Sequence, residues 1–168
     1  MVDVMNANLL EINMLLQHGE RMLSLVDLIK SHTMPLELAS YLMEGMKNGA
    51  SILVGAMRGR AGKTTLMGAL LGIIPPSSSD RIISIQGASE IKGLKPGTRR
   101  SPRTYVIPEI SDHGHYLWGT AVIRATRLVD PYTRLTSTLH EESIEGVKAT
   151  FRRCGSEEAI NAFHFIIF

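Results

Sequence analysis

The chain has 168 residues, a length that fits one compact domain with a substantial hydrophobic core. Hydrophobic residues make up 44% and charged residues 20%, as in an ordinary globular protein, and a net charge of +2 does not indicate nucleic acid as a partner. The single cysteine, Cys154, excludes an internal disulfide. No apolar run reaches the ~18 residues of a transmembrane helix, and the first residues lack the pattern of a signal peptide. We therefore expect a cytoplasmic protein.

Residues 1–33 are predicted to be a helical segment. Apolar residues from Leu9 to Ile29 recur at spacings of three and four, which is typical of helices with one apolar face. Gly19 is expected to divide this stretch into two helices. We interpret the segment as packing against the main domain, residues 34–168. The alternative is that it docks on another subunit or on an upstream domain.

In residues 34–168, short apolar runs alternate with helical patterns. A first helix begins after Thr33 and Pro35 and ends near Asn48, where a glycine follows. The predicted strands are residues 51–55, 81–85, 104–107, 134–138 and 163–168, and the further predicted helices are residues 63–71, 113–127 and 142–153. Strands joined by helices usually pair in parallel. We therefore predict an α/β fold with a mostly parallel sheet and helices on both faces.

The sequence Gly62-Lys-Thr-Thr65 follows the first predicted strand and begins a helix. A glycine-rich turn that enters a helix directs several backbone N–H groups at one point, and the helix N-terminus adds partial positive charge. We expect Lys63 to contact phosphate, Thr64 to ligate Mg²⁺ and Thr65 to touch the α-phosphate side. The turn itself is expected to consist of Gly59, Arg60, Ala61 and Gly62. The alternative is that these residues merely begin a helix.

Phosphoryl transfer also needs a carboxylate that orients water or metal near the γ-phosphate. Ligands of open α/β sheets bind at the carboxyl ends of the strands. Glu109 directly follows Tyr105-Val-Ile-Pro108 and is the predicted catalytic carboxylate. Asp112 is the reserve candidate.

The order of these segments resembles the secretion and pilus ATPases of type II and type IV systems. The resemblance begins at residue 34 and includes Gly62-Lys-Thr-Thr-Leu-Met67 as a Walker A loop. Arg103-Thr-Tyr-Val-Ile-Pro-Glu109 resembles the Walker B segment, and Ser137-Thr-Leu-His140 resembles the histidine box. The resemblance implies a P-loop NTPase (RecA-like) core that binds ATP and Mg²⁺.

The same resemblance assigns roles to three residues. Glu109 matches the catalytic glutamate, and His140 would sense the γ-phosphate. Glu90, which survives from the family's acidic box, would help Thr64 hold the metal. The resemblance also implies a ring of identical subunits in a membrane-associated secretion or pilus complex, peripheral at the inner face of the membrane.

Several departures from the family pattern keep other hypotheses open. Met57 stands where the loop pattern has its first glycine, and Gln86-Gly87 stands where the acidic box begins. These residues favour a non-catalytic nucleotide-binding or structural homologue as the alternative. A small-molecule kinase and a DNA-translocating ring ATPase also remain open. His140 could be a structural histidine.

A basic cluster in the polar loop at residues 86–103 has two interpretations. Arg99, Arg100 and Arg103 could form a solvated surface loop, or they could supply an arginine finger across a subunit interface.

Overall fold

Five parallel strands form the central sheet of the computed structural model, which describes residues 4–15, 22–74 and 79–168. The strands lie in the order β2-β3-β4-β1-β5. Every pairing between neighbouring strands is parallel. The strand ranges are β1 Ile52–Gly55, β2 Arg81–Ser84, β3 Arg103–Ile110, β4 Thr133–Leu139 and β5 Phe165–Ile167.

The described helices have recognisable start and stop signals. The longer C-terminal helix begins after Ser143, whose hydroxyl accepts a hydrogen bond from Gly146 N, and it ends at Gly155 with φ 115°. Two short 3₁₀ helices span Glu90–Gly93 and Glu157–Ala162. The α-helices are α1 Val4–Met14, α2 Leu25–Lys30, α3 Leu36–Lys47, α4 Lys63–Leu71, α5 Thr120–Thr126 and α6 Ile144–Cys154.

Helices cover both faces of the sheet and create two hydrophobic clusters. On one face, α1 to α4 pack against alternate residues of the strands, such as Val54 and Val106. On the other face, α5 and α6 pack against Leu53, Tyr105 and Leu135. Successive side chains of a strand point to opposite faces, so central strands that are buried on both sides read as continuous apolar runs. The predicted α/β fold with a parallel sheet and helices on both faces is confirmed.

Helix α1 covers the outer edge of β2, the last strand on its side of the sheet. Asn8 donates to the carbonyl of Asp80 at 2.8 Å and accepts from Ile82 N at 2.9 Å. The carboxylate of Glu11 accepts from Ser84 N at 3.2 Å. An edge strand would otherwise present these backbone groups to other chains. Side chains of a helix therefore complete the hydrogen bonding of this edge.

A buried ion pair joins the strands at the amino end of the sheet. Arg134 lies 3.1 Å from the carboxylate of Asp80, and the two side chains are 13% and 4% exposed. Thr104 donates a hydrogen bond to the same carboxylate, and Arg134 donates to the carbonyl of Met46. Burial raises the pKa of Asp80, while Arg134 and Thr104 act against that rise. The network ties β2, β3 and β4 to the end of α3.

Two elements differ from the sequence prediction. The third strand, expected to end at Ile107, continues to Ile110, because Pro108 lies at a register shift where the strand pairing is interrupted. The helix expected from residue 113 begins only at Thr120. Gly114 and Gly119 have φ of 65° and 62°, a conformation that no right-handed helix contains.

The N-terminal segment contains α1 and α2 in its described part. Ile12 and Leu28 are buried in the same cluster as α4. The predicted break at Gly19 and the Pro75-Pro76 pair lie outside the described residues. None of the helices in the described ranges combines the length and the hydropathy needed to cross a membrane.

Candidate functional site

The predicted site residues meet at the carboxyl ends of β1 and β4, which are neighbours in the sheet. The chain leaves β1 toward α4 on one face and leaves β4 toward α6 on the other face. Connections that diverge in this way open a crevice between the strand ends, and open α/β sheets bind ligands in such crevices.

The loop between β1 and α4 is open to solvent. Arg60 and Gly62 have φ of 59° and 85°, whereas Met57 is not among the described non-glycine residues with positive φ. Methionine at position 57 is therefore compatible with this loop conformation. A Cβ atom added at Gly59 or Gly62 would meet no heavy atom within 4 Å. The four predicted turn residues, Gly59, Arg60, Ala61 and Gly62, are all exposed.

Lys63, the first residue of α4, is 8% exposed and points back beneath the loop. Its ammonium donates to the carbonyls of Ala56 at 3.3 Å and Arg58 at 3.4 Å. Burial lowers the pKa of Lys63, and the negative charge of Glu109 opposes this by raising it. The loop thus holds one cation whose charge is incompletely balanced by its surroundings.

His140, directly after β4, links the loop to the predicted catalytic carboxylate. Its Nδ1 lies 3.0 Å from the carbonyl of Met57 and 3.5 Å from the ammonium of Lys63. Its Nε2 lies 3.4 Å from a carboxylate oxygen of Glu109, whose side chain is 18% exposed. Both acceptors receive hydrogen bonds from the ring when both of its nitrogens carry a proton. The fold therefore gathers Lys63, His140 and Glu109 from three separate segments.

Thr64 and Thr65 occupy the first turn of α4 and are partly buried. The first N–H groups of a helix have no partner within the helix, so they are available to an anion at this end. An open glycine loop, these N–H groups and a lysine ammonium together form a donor set that fits a polyphosphate. An oligophosphate nucleotide with its metal would be held by the residues from Gly59 to Thr65.

Glu90, the second predicted metal ligand, lies elsewhere. It follows β2, and β3 and β4 lie between β2 and β1, a separation of about 14 Å at the usual strand spacing. Its carboxylate accepts a hydrogen bond from Gln86 N. In the part of the chain that the structure describes, no group of three or more His, Cys, Asp or Glu side chains is arranged to hold a metal ion. Metal binding by Thr64 and Glu90 stays a prediction.

The reserve residue and the basic cluster take separate positions. Asp112 is exposed and lies 2.7 Å from His113 Nδ1 and 3.9 Å from Arg153, beside the Glu109 crevice. Arg99 and Arg100 are exposed in a turn that precedes β3. This turn lies at the amino end of the sheet, opposite the Lys63 loop. The basic cluster therefore does not reach the site of its own chain.

Sequence reasoning missed two hydroxyl groups near the site. Ser137 donates to the carbonyl of Ile107 at 2.9 Å, and Thr138 donates to the carbonyl of Pro108 at 2.7 Å. The signal for them was the pair of hydroxyl residues shortly before His140 in an otherwise buried strand.

Comparison with known proteins finds similarity over part of the chain. A segment of 104 residues, 58% of this chain, is 35% identical to the type IV secretion system protein PtlH of Bordetella pertussis. The PtlH homologues of Bordetella parapertussis and Bordetella bronchiseptica match with the same identity. No family model matches the chain. The matched segment covers 26% of each of these relatives, so the chain is similar to about a quarter of a type IV secretion protein.

Proposed function

We propose that this chain contains the ATP-binding core of a motor subunit in a type IV secretion-type system, which binds Mg-ATP and hydrolyses it in a ring assembly. The observation that carries the proposal is the convergence of Lys63, His140 and Glu109 beside an open glycine loop. The partial similarity to PtlH supports the secretion context.

Each residue of the site has a distinct role in this proposal. The ammonium of Lys63 neutralises phosphate charge, and the hydroxyl of Thr64 faces the metal. Magnesium would bridge phosphate oxygens and neutralise the charge that develops on them. The carboxylate of Glu109 orients the attacking water and accepts its proton. His140 contacts both the loop and Glu109, so a change at the loop reaches the carboxylate through one ring.

The position of the basic turn supports assembly of identical subunits. Arg99 and Arg100 lie at the opposite end of the sheet from Lys63, so they can approach a nucleotide only in a second copy of the chain. Such head-to-tail contacts close into rings when the rotation between copies is suitable. Sedimentation with and without Mg-ATP tests this part, and a monomer under both conditions contradicts it.

ATP turnover by the wild type and by Glu109→Gln tests the catalytic role. We expect the variant to bind Mg-ATP in calorimetric titration but to lose turnover by a factor on the order of 100. Glu145→Gln, an exposed glutamate in α6, is the matched control. Equal turnover in wild type and Glu109→Gln would remove Glu109 from the mechanism, and no binding heat in the wild type would remove the nucleotide.

A second candidate is a non-catalytic homologue that binds nucleotide and changes conformation. Glu90 is hydrogen-bonded to Gln86 N, and two strands separate it from the Lys63 loop, so fewer acidic groups surround the site than the resemblance implies. Calorimetric binding of Mg-ATP without any turnover in the wild type would favour this candidate.

A further inference from the structure

The end of β3 contains an irregularity that determines where Glu109 points. Ile107 pairs with Ser137, but the next pair is Ile110 with Leu139, so β3 has one residue more than β4 over this stretch. The extra residue makes a β-bulge that includes Pro108 and Glu109. A bulge bends its strand and redirects the side chains on it.

Two hydroxyl groups from β4 bind this bulge. Ser137 and Thr138 donate to the carbonyls of Ile107 and Pro108 at 2.9 and 2.7 Å. Both donors are fully buried, at 0% and 1% exposure, so water does not compete for these bonds. Pro108 has no N–H group and cannot contribute a ladder bond of its own. The hydroxyls supply contacts where the regular ladder is interrupted.

We infer that Thr138 is a positioning residue for Glu109: its hydroxyl fixes the Pro108–Glu109 bulge so that the carboxylate faces His140. The inference rests on the proposed function for its kinetic consequence. It also gives Ser137-Thr-Leu-His140 a common purpose, because one end of the motif holds the bulge while His140 contacts the carboxylate.

Strand β4 offers a matched control for this role. Thr136 lies two residues before Thr138, on the same face of the strand, and is equally buried at 0% exposure. Its hydroxyl has no hydrogen-bond partner in the described part of the chain. Thr136→Val and Thr138→Val therefore make the same chemical change, and only the second removes a hydrogen bond to the bulge.

The kinetic arm compares Thr138→Val, Thr138→Ser and Thr136→Val. We expect Thr138→Val to lower kcat by a factor on the order of 100, as for a catalytic group displaced by about 1 Å, with an unchanged Kd for Mg-ATP. Thr138→Ser keeps the hydroxyl and should restore most of the rate. Thr136→Val should match the wild type. Thr138→Ala replaces the valine variant if valine prevents folding.

The second arm does not depend on nucleotide. Glu109 raises the pKa of Lys63, so a displaced carboxylate should let that pKa fall in Thr138→Val but not in Thr136→Val. NMR titration of ¹³C-labelled lysine, with Lys63 assigned by Lys63→Gln, measures it. An unchanged Lys63 pKa in Thr138→Val, or equal kcat in the two valine variants, overturns the inference. A wild type without ATP binding but with the expected fall in pKa contradicts the proposed function and leaves the positioning role standing.

Discussion

The ammonium of Lys63 lies 3.5 Å from Nδ1 of His140, a residue 77 positions later in the chain. The same ring lies 3.4 Å from Glu109, so a lysine and an ionisable imidazole share one carboxylate. With the imidazole protonated, the three groups carry a net positive charge. An incoming phosphate supplies the negative charge that this cluster lacks, which favours anion binding over binding of a neutral ligand.

The first prediction concerns nucleotide affinity. Lys63→Gln removes the ammonium and should weaken Mg-ATP binding about 10- to 100-fold, because a hydrogen bond to a charged group contributes about 1.5–3 kcal/mol. Calorimetric titration measures the change. Lys92→Gln, at an exposed lysine in the first 3₁₀ helix, is the control and should bind as the wild type does. Equal affinities of the two variants would contradict the assignment of Lys63 to phosphate.

The second prediction concerns pH. Burial lowers the pKa of Lys63 below 10.5, so just below that pH the unfolded chain binds more protons at this residue than the folded chain does. The contribution of Lys63 to the free energy of unfolding therefore rises as the pH approaches 10.5 from below. Lys63→Met should remove this rise in urea unfolding measured across that range.

Glu109→Gln makes the pH prediction more specific. It removes the charge that raises the pKa of Lys63, so the rise in stability should begin at a lower pH than in the wild type. The same pH dependence in wild type, Lys63→Met and Glu109→Gln would show that Lys63 is not perturbed by burial.

The third prediction concerns the buried ion pair at the amino end of the sheet. Arg134→Met leaves the carboxylate of Asp80 buried without its cation, and we expect a loss of about 3–5 kcal/mol in urea unfolding. Arg127→Met, at an exposed arginine, should cost far less. The double variant Asp80→Asn with Arg134→Met should be less destabilised than Arg134→Met alone.

The ion pair also predicts a pH effect of defined sign. Burial raises the pKa of Asp80, and Arg134 is the charge that opposes the rise, so the pKa should climb further in Arg134→Met. A raised folded-state pKa means that stability is lost as the pH rises through it. The deficit of Arg134→Met relative to wild type should therefore shrink as the pH falls toward the pKa of Asp80. A deficit independent of pH would contradict this explanation.

The fourth prediction concerns the covered edge of β2. Asn8→Ala removes the acceptor of Ile82 N and the donor to the Asp80 carbonyl, at a cost of about 1 kcal/mol per hydrogen bond. Hydrogen exchange at the Ile82 amide should accelerate. Asn13→Ala, an exposed asparagine on the same helix, serves as the control. Unchanged exchange at Ile82 in Asn8→Ala would show that α1 does not protect this edge.

Much of the fold could be predicted because local signals and global structure agree. The helix at Lys63–Leu71 follows from a glycine at its start and an apolar run, and its bounds match the prediction. The extent of β3 could not be predicted, because proline normally ends a strand in the interior of a sheet. Only the bulge, which depends on the pairing with β4, makes Pro108 compatible with the strand.

The site was predictable in its residue types but not in its contacts. Lys63, Glu109 and His140 could be selected because each follows a predicted strand. Their mutual contacts depend on β4 lying between β1 and β3, and strand order is a long-range property that no local pattern specifies. For the same reason, the sequence did not indicate that Glu90 follows a strand at the far edge.

The cover on β2 makes the two sides of the sheet unequal in their capacity for growth. Asn8 and Glu11 occupy the outer N–H groups of β2, whereas β5 pairs with β1 on one side and with no described strand on the other. An added strand, whether from another chain or from an exchanged segment, therefore finds its backbone template at β5. The sheet can be extended in one direction only while α1 stays in place.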